Sequence, residues 1–405
     1  MPVFDYEVID QNGKSKKGNL EGNDAEAVMS ALKAQGLTPI SVSKQTMLTK
    51  DIDISIGKRV SSKDLAIFCR QFSSILNAGV TIVSALEMLY EQSENKYMAT
   101  AIRDVQTAVE KGDSLADGMR VQPKVFPEIL INMVEAGEAS GSLDVALDRM
   151  TTHFEKSDSL KSTVKNAMLY PIMVILVSIV VVIIMMVKVV PSFMDMFEDV
   201  DGELPAITKM VIGISDFIVH NGLIIGFFIV LLIVLFSLYK SSDKGRYQLS
   251  AFVLKVPLFG KLVRKSASAT FTRTLSTLLA SGISLIDAVE ITSRVVDNEV
   301  FKEALIQAKD EVERGVALSE PLEACGQFPP MVYRMIRIGE ETGNMESMLD
   351  KVADFYEEDV ENTTKALTTI MEPLIIIVLA VIVGTIMLAV MSPMFALYNS
   401  ISNSV

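Results

Sequence analysis

The sequence predicts a mainly α-helical, polytopic membrane protein with three transmembrane helices and two homologous helical-bundle domains, preceded by a small ββαβ module. Three observations support this fold class. Three apolar runs are long enough to span a membrane, an internal repeat relates the two halves of the chain, and the first residues alternate between apolar and polar side chains.

Residues 1–45 are predicted to form the ββαβ module. The segment VFDYEVID alternates, Gln11-Asn12-Gly13-Lys14 is a hairpin turn signal, and KKGNLEG supplies the second strand. The segment NDAEAVMSALKAQG is interpreted as a capped helix that ends at Gly36, and LTPISVSK as the last strand. A polar linker over 46–61 follows.

Three apolar runs can each cross a bilayer, which takes roughly 20 helical residues. They are residues 169–190, 217–239 and 373–397. The external loop predicted over 191–216 is acidic, whereas the connector 240–267 is basic and the tail 398–405 is uncharged. Because lysine and arginine favour the cytoplasmic side, we expect the N-terminus and the connector inside, and the loop and the C-terminal tail outside.

An internal repeat relates the two halves of the chain. Phe68–Glu87 matches Phe271–Glu290 at an offset of 203, and Phe126–Met150 matches Phe328–Val352 at an offset of 202. The identical pairs include Arg70/Arg273, Gly79/Gly282, Glu87/Glu290, Gly137/Gly339, Glu138/Glu340, Gly141/Gly343 and Pro171/Pro373. Each repeat is therefore predicted to be a helical bundle, over 62–168 and 268–371, that continues directly into a membrane helix.

Several repeated residues are predicted to begin or end helices. Gly79 and Gly282 should end the first helix of each repeat in a left-handed conformation. A cap at Thr81 or Ser284 should begin the next helix. Pro171 and Pro373 are predicted to open the first and third spans.

Two pairs of repeated acids are candidates for capping or partner binding, namely Glu138 with Glu340 and Glu87 with Glu290. The first pair follows a glycine in a Gly-Glu-x-(Ser/Thr)-Gly turn, so each acid is expected to cap the helix that comes next. The second pair lies mid-helix, where a buried contact with Arg70 or Arg273 is one hypothesis. A role in binding a partner is the alternative for both pairs.

The sequence contains no recognisable catalytic or nucleotide-binding motif. Gly13-Lys14-Ser15 lacks the first glycine of a phosphate-binding loop, because Val8 occupies that position. The two histidines, His153 and His220, lie in different parts of the chain. A net charge of −13 argues against nucleic-acid binding. We expect a scaffold rather than an enzyme, without a cofactor and dependent on a partner for energy.

Two other classes of membrane protein fit the sequence less well. A transporter or channel should carry polar or broken-helix features near the middle of its spans, and these spans hold almost no ionisable group. A signalling receptor needs an external sensor domain, for which residues 191–216 are too few.

Several segments occur in a characteristic order, namely LTPISV in the N-terminal module, Arg70–Val80, Met133–Gly141, Tyr170-Pro171, Phe328–Gly343 and Glu372-Pro373. They resemble the polytopic inner-membrane platform proteins of type IV pilus and type II secretion machines. The resemblance covers essentially the whole chain. It implies six-helix bundles in the cytoplasm, three spans in the bacterial inner membrane and a cytoplasmic N-terminus.

The resemblance also implies partners. These are a hexameric assembly ATPase on the cytoplasmic face, pilin or pseudopilin subunits in the membrane, other inner-membrane assembly components and further copies of the same chain. In this family the platform transmits movement of the ATPase to the extraction of pilin subunits. Pilus assembly is favoured over the secretion and competence branches.

A calcium site is implied by the secretion branch of the family. Its members resemble calcium binders that use one acid in an E-Q-S-E stretch and two acids one turn apart on a later helix. Glu94 and Asp148 match the first two acids, but Thr152 stands where the third belongs. Calcium prefers several oxygen ligands, so the missing carboxylate also favours the pilus branch.

Overall fold

A computed structural model of the chain describes residues 3–9, 15–21, 29, 38–44, 60–192 and 206–402. Side chains are described for residue 29 and for 60–192 and 206–392. The chain divides into two compact units, Met1–Arg59 and Val60–Val405.

The described part of the first unit contains an antiparallel sheet. Its strands are β1 (Val3–Ile9), β2 (Ser15–Glu21) and β3 (Thr38–Lys44), in the spatial order β2-β1-β3. The helix expected between β2 and β3 lies outside the described residues, apart from Met29, which is helical. The ββαβ module as a whole therefore stays a prediction.

The second unit begins with a bundle of α-helices. Within the described residues 60–192 these are α1 (Ser62–Asn77), α2 (Ile82–Gln92), α3 (Lys96–Glu110), α4 (Leu115–Arg120), α5 (Glu128–Ser140) and α6 (Leu143–Ile184). A π-helical turn over Met185–Val189 extends α6.

Over the described residues 206–402 the helices are α7 (Ala206–Ser241), α8 (Asp243–Lys255), α9 (Phe259–Ala280), α10 (Leu285–Val295), α11 (Glu299–Glu313), α12 (Ser319–Ala324), α13 (Pro330–Thr342) and α14 (Met345–Ser402). The helices α7 and α8 connect the first bundle to a second one, which consists of α9 to α14. The helices α10 to α13 match α2 to α5 residue for residue in length, at 11, 15, 6 and 13 residues. The basic connector predicted over 240–267 is largely helical, because it contains α8 and the first part of α9.

Each bundle is built around the same aromatic contact. The ring centroids of Phe68 and Phe126 lie 5.7 Å apart, and those of their repeat counterparts Phe271 and Phe328 lie 4.9 Å apart. All four rings are buried, and burying one such side chain stabilises a fold by about 1.5–3 kcal/mol. Most of the buried apolar residues of both bundles form one continuous core.

The predicted helix ends between the first two helices of each repeat are confirmed. Gly79 and Gly282 adopt left-handed backbone angles, with φ of 82° and 80°. The Thr81 hydroxyl accepts a hydrogen bond from the backbone N–H of Ser84, and the Ser284 hydroxyl accepts one in the same way, each at 3.3 Å.

The last helix of each repeat runs without a break into its apolar segment. The helices α6 and α14 contain 42 and 58 residues, which corresponds to lengths of about 63 Å and about 87 Å. Both prolines predicted to open the spans, Pro171 and Pro373, lie inside these continuous helices. That they mark the start of the spans stays a prediction. A proline removes one backbone hydrogen bond, and helices in a membrane tolerate that loss when neighbouring groups compensate.

The described residues include three helices long and apolar enough to cross a membrane, Leu143–Ser192, Ala206–Ser241 and Met345–Ser392. Residues 206–216, which belong to the predicted external loop over 191–216, form the first part of α7. The inward face of this first part of α7 carries Thr208, Val211 and Ser215, one or two turns apart, and all three are buried. The helix bends at Asn221, where φ is −110° and ψ is 15°.

The buried hydroxyl of Ser215 compensates for a proline at the end of the first span. In the π-helical turn the N–H of Val190 bonds to the carbonyl of Met185, five residues earlier. If this pattern continued by one residue, the N–H of residue 191 would donate to the Met186 carbonyl. Residue 191 is a proline and has no N–H. Ser215 donates to that carbonyl oxygen instead.

Thr208 has the same role at the third span. Pro393, the repeat counterpart of Pro191, leaves the carbonyl of Ala389 without its ordinary α-helical donor. The Thr208 hydroxyl donates to the Ala389 carbonyl oxygen at 2.7 Å, and the site is buried. The first part of α7 therefore satisfies one carbonyl on each repeat, although α7 itself lies outside the repeat.

We predict that Ser215→Ala lowers the free energy of unfolding by about 1 kcal/mol, because it leaves the Met186 carbonyl without a donor. The matched control is Ser178→Ala. Ser178 also donates to a carbonyl, that of Val174, but this carbonyl keeps its helical N–H donor. Reversible unfolding of the whole chain in bicelles measures both changes, and equal losses would contradict the prediction.

Candidate functional site

The two bundles meet at a cluster of charged residues around Arg273. Its side chain is only 10 % exposed, which is unusual for arginine. The guanidinium binds three carboxylates on one face of α14, those of Asp350, Asp354 and Glu357. The Nε atom lies 2.7 Å from the Glu357 carboxylate. Burial alone would lower the pKa of Arg273, but the hydrogen bonds and charge of Glu357 outweigh burial and raise this pKa.

Lys156 joins the first bundle to this cluster. It lies on α6, and its Nζ atom is 2.9 Å from Glu357 and 3.5 Å from Asp354. The hydrogen bond to Glu357 raises the pKa of Lys156. Glu357 is itself only 10 % exposed and binds cations from both bundles. Removing one member of a buried ion pair typically costs about 3–5 kcal/mol, far more than breaking an exposed pair.

The equivalent residues of the first repeat make a different, exposed arrangement. Arg70 pairs with Glu155, the counterpart of Glu357, but the Arg70 side chain is 63 % exposed. The position of Asp354 is taken by Thr152. The same arginine is thus buried in one repeat and exposed in the other, because α6 of the first bundle covers the second.

A second ion pair joins the bundles at Arg294. This residue of α10 binds Glu128 at the start of α5, with 2.6 Å between Nη1 and Oε1. Glu290, one turn earlier on α10, binds the same arginine. Its carboxylate also binds Lys309, with 2.7 Å between Oε2 and the lysine Nζ atom. The hydrogen bond with Lys309 lowers the pKa of Glu290.

The hypothesis that the mid-helix acids contact Arg70 or Arg273 is therefore wrong. Glu290 turns toward α11 and orients Arg294, while Glu87 is exposed on α2. The physical reason is that both arginines find acids on the last helix of their own repeat, which packs along the first.

Glu138 and Glu340 do cap helices, but not the helices that follow them. Glu138 accepts the backbone N–H groups of Leu115 and Ala116, at 2.8 Å and 3.0 Å, and so caps α4. Glu340 accepts the N–H of Leu318 at 2.5 Å, just before α12 begins. A carboxylate at a helix N-terminus also interacts favourably with the helix dipole. The prediction is correct about the role and wrong about the helix.

The glycines of the Gly-Glu-x-(Ser/Thr)-Gly segment have two different roles. Gly137 lies inside α5, where an added Cβ would come within 2.9 Å of the Ala146 Cβ. Gly339 on α13 is equally close to the next helix, at 2.8 Å from the Met345 Cα. The turn is made at Gly141 and Gly343, with φ of 70° and 69°. The segment is therefore mostly helical, and only its last residue turns.

The acids implied for calcium binding do not complete a site. Glu94 and Asp148 are both exposed. The Thr152 hydroxyl, at the third position, donates to the backbone carbonyl of Asp148 at 3.3 Å. No group of three acidic, histidine or cysteine side chains that could hold a metal occurs in the part of the chain with described side chains. Two carboxylates do not fit the three-acid pattern, and calcium binding stays a prediction.

Sequence reasoning did not identify the residues that join the bundles, Glu128, Lys156, Arg294, Asp354 and Glu357. One signal was available. Three acids at 350, 354 and 357 share one face of a helix, and this row predicts a cationic partner packed against it. The sequence could not indicate which cation, because Lys156 lies 201 positions from Glu357.

The fold and the site define a class of protein: a three-span membrane protein with two copies of one helical bundle, joined by buried charges. The sequence matches the family described as Type II secretion system (T2SS), protein F over residues 68–191 and again over 271–393. Residues 1–43 match the N-terminal domain of the same family. The chain belongs to this family, and its two matches correspond to the two repeats.

Full-length relatives come from two kinds of machine. The chain is 37% identical to the type IV pilus assembly protein PilC of Myxococcus xanthus, over 98% of this chain and 95% of the relative. It is 39% identical to PilC of Pseudomonas aeruginosa, over 92% and 99% respectively. It is 31% identical to the type II secretion system protein F of Vibrio cholerae, over 99% and 100%.

We predict that Glu357→Gln lowers the free energy of unfolding by about 3 kcal/mol, because Arg273 and Lys156 then share a site without its central carboxylate. Glu358→Gln is the control, since this neighbouring side chain is exposed and should change stability by less than about 0.5 kcal/mol. Denaturant unfolding of the whole chain in detergent measures the difference. Indistinguishable midpoints for the two variants would contradict a stabilising role of the cluster.

Proposed function

We propose that this chain is the inner-membrane platform of a type IV pilus assembly machine. Family membership and the three apolar helices support an inner-membrane, structural role rather than a catalytic one. Four relatives named type IV pilus assembly proteins are 35% to 39% identical to the chain. Those named for type II secretion are 31% and 32% identical, as is one type 4 fimbrial assembly protein at 31%. The equivalent platform of a secretion or competence system is the alternative.

The continuous helices α6 and α14 carry this proposal. Each begins in a bundle and extends through an apolar segment as one rod. Lys156 on one rod and Glu357 on the other are joined in the part of each rod that belongs to its bundle. A movement imposed on either bundle is therefore transmitted to both membrane segments, because an intact helix resists bending far more than a loop does.

Such a rod suits a platform that is moved from one side of the membrane and acts within it. We infer that an assembly ATPase acts on the bundles and that pilin subunits contact the membrane helices, together with other assembly components and further copies of the chain. Lifting the apolar helix of a pilin out of lipid is costly, and the sequence contains no recognisable nucleotide-binding motif of its own.

The distribution of charge supports an orientation with both bundles in the cytoplasm. Lys161 and Lys165 precede the first apolar segment, and Lys240 and Lys244 follow the second. The ion pairs between the bundles also require that both lie on the same side of the membrane.

We predict that a fluorescent protein fused to the N-terminus folds and fluoresces in cells, and that alkaline phosphatase fused after Val405 is active. Green fluorescent protein matures in the cytoplasm, whereas the phosphatase needs the oxidising exterior to form its disulfides. Exchanging the two reporters is the control and should abolish both signals. Activity of the phosphatase at the N-terminus would contradict the orientation.

The proposed transmission of movement from the bundles to the membrane helices is tested by destabilising one helix between them. Thr369 and Ile370 are exposed on α14 between the second bundle and the third apolar segment. Replacing both with glycine weakens the helix by roughly 1 kcal/mol per residue relative to alanine. In a source strain lacking the native gene, we expect the double-alanine variant to restore surface pili and the double-glycine variant to restore severalfold fewer, at equal amounts in the membrane.

Two outcomes of the same experiment would contradict the proposal. Equal piliation by both variants would show that rigidity of this rod is not needed. Normal piliation in the deletion strain, with lost export of secreted proteins, would assign the chain to the secretion branch instead.

A further inference from the structure

A cavity of about 310 Å³ lies between α6 of the first bundle and α9 of the second. Two rows of polar side chains line it, with one residue per helical turn in each row. On α6 the row consists of His153, Ser157, Lys161 and Lys165, and on α9 it consists of Ser266, Thr270 and Thr274. Most of these side chains can donate hydrogen bonds, and the two lysines can only donate.

The hydroxyl groups of the α9 row lack the bonds that their neighbours on the same helix make. Ser268 and Thr272 each donate to a carbonyl oxygen one turn earlier, at 2.8 Å. In contrast, Ser266, Thr270 and Thr274 have no hydrogen-bond partner among the side chains and backbone that the structure describes. Serines and threonines in helices commonly make that local bond. Because the hydroxyl groups of the α9 row do not make it, they are available to a ligand.

Two polar atoms at the buried end of the cavity are unsatisfied. His153 Nδ1 and Thr274 Oγ1 are both inaccessible to solvent, and neither has a partner within the described part of the chain. Buried polar groups are nearly always hydrogen-bonded in native proteins. A cavity of this size lined by such groups therefore accommodates a polar occupant.

The charges that line the cavity favour an anion at its exposed end. Lys161 and Lys165 are exposed and have no carboxylate partner among the described residues. Arg273 and Glu357 also line the cavity but bind each other, and Asp297 is the remaining acid. The lining therefore carries an excess of positive charge.

The cavity ends beside the first apolar segment. Its lining includes Leu160, Val164 and Met168, and the first apolar segment begins at the next residue, Leu169. The occupant thus meets cations and hydroxyl donors on one side and apolar side chains on the other. An amphiphile with a phosphate headgroup has this combination of properties, because phosphate oxygens accept bonds from lysine and hydroxyl donors while acyl chains stay in the bilayer.

We propose that this cavity binds a phosphate group, and its position points to the headgroup of an anionic phospholipid. Basic pockets that face the cytoplasmic leaflet are suited to such headgroups. The occupant would fill the space between the two bundles beside the cluster at Arg273. Anionic lipid would thereby stabilise the contact between the bundles, a property that goes beyond the platform role.

The first test compares lipid retention by charge variants of the whole chain. The protein is placed in nanodiscs of phosphatidylcholine with or without phosphatidylglycerol, released into detergent, and analysed by native mass spectrometry for bound lipid. We expect Lys161→Gln/Lys165→Gln to weaken phosphatidylglycerol binding roughly thirtyfold.

The matched control is Lys240→Gln/Lys244→Gln. These lysines have the same spacing and lie at the end of another apolar segment. They do not line the cavity. An equal loss in both double variants would mean that lipid binds through general surface charge, and would overturn the proposed site.

A second test uses uncharged variants. Thr274→Val keeps the shape of the side chain and removes the unsatisfied hydroxyl, so we expect the lipid-free protein to melt at a higher temperature. We expect Thr270→Val, which removes a partly buried hydroxyl of the same row, to retain less phosphatidylglycerol than the native chain. Unchanged retention would show that the hydroxyl row does not contact the lipid, and would count against the proposal.

The source of the phosphate is decided by histidine-selective nitrogen NMR, because the chain has only two histidines. Burial, aided by Arg273 and Lys161, lowers the pKa of His153 to about 4. The other charged groups that line the cavity are Lys165, Asp297 and Glu357. A bound phosphate stabilises the imidazolium form, so the pKa of His153 should rise when the site is occupied.

We expect that rise with phosphatidylglycerol in the nanodisc and none with inorganic phosphate added to phosphatidylcholine nanodiscs. A rise with inorganic phosphate alone would assign the cavity to a soluble phosphate ester and overturn the lipid assignment. No change in either sample would mean that water fills the cavity, and would overturn the proposal as a whole.

Discussion

The arrangement of the two bundles depends on a buried charge that must be paired. Arg273 is almost inaccessible to solvent because α6 of the first bundle lies over it. An unpaired guanidinium at this place would be strongly unfavourable, so the acids of α14 and the ammonium group of Lys156 are fixed relative to it. Hydrophobic burial supplies the driving force for contact between the bundles, while the ion pairs select one geometry among the many that apolar surfaces alone would allow.

Duplication produced two equal folds but not two equal surfaces. The cations Arg70 and Arg273 occupy the same position in each repeat, and both find a glutamate on the last helix of their own repeat. Only the second repeat has the further acid, Asp354, where the first has Thr152. That difference is consistent with the packing: the covered arginine needs more negative charge than the exposed one, whose charge is screened by water.

The sequence predicted the features that depend on neighbouring residues. The apolar segments, the left-handed glycines and the cap at Thr81 are determined within a few positions of the chain, and all three predictions are confirmed. The helix that Glu138 caps begins 23 positions before it, and local reasoning assigned the carboxylate to the nearer helix. The length of the helix around Pro171 was not predicted for a related reason, because the proline removes one hydrogen bond but the helix continues through it. Contacts between repeats depend on which faces meet, which no local pattern specifies.

The second apolar helix has a larger part in this fold than that of a connector. Each repeat is a bundle followed by one apolar helix. Both bundles can lie on the same side of the membrane only if one further span crosses back between them, and the second apolar helix is that span. The hydroxyls of Thr208 and Ser215 show a second requirement. A repeated proline near the end of each rod leaves a carbonyl oxygen that lipid cannot satisfy, and neither repeat supplies the missing donor. The connecting helix supplies both, and in doing so it fixes the far ends of the two rods relative to each other. The bundles are joined by charge at one end and the rods by hydroxyl groups at the other, so the two rods are held together at both ends.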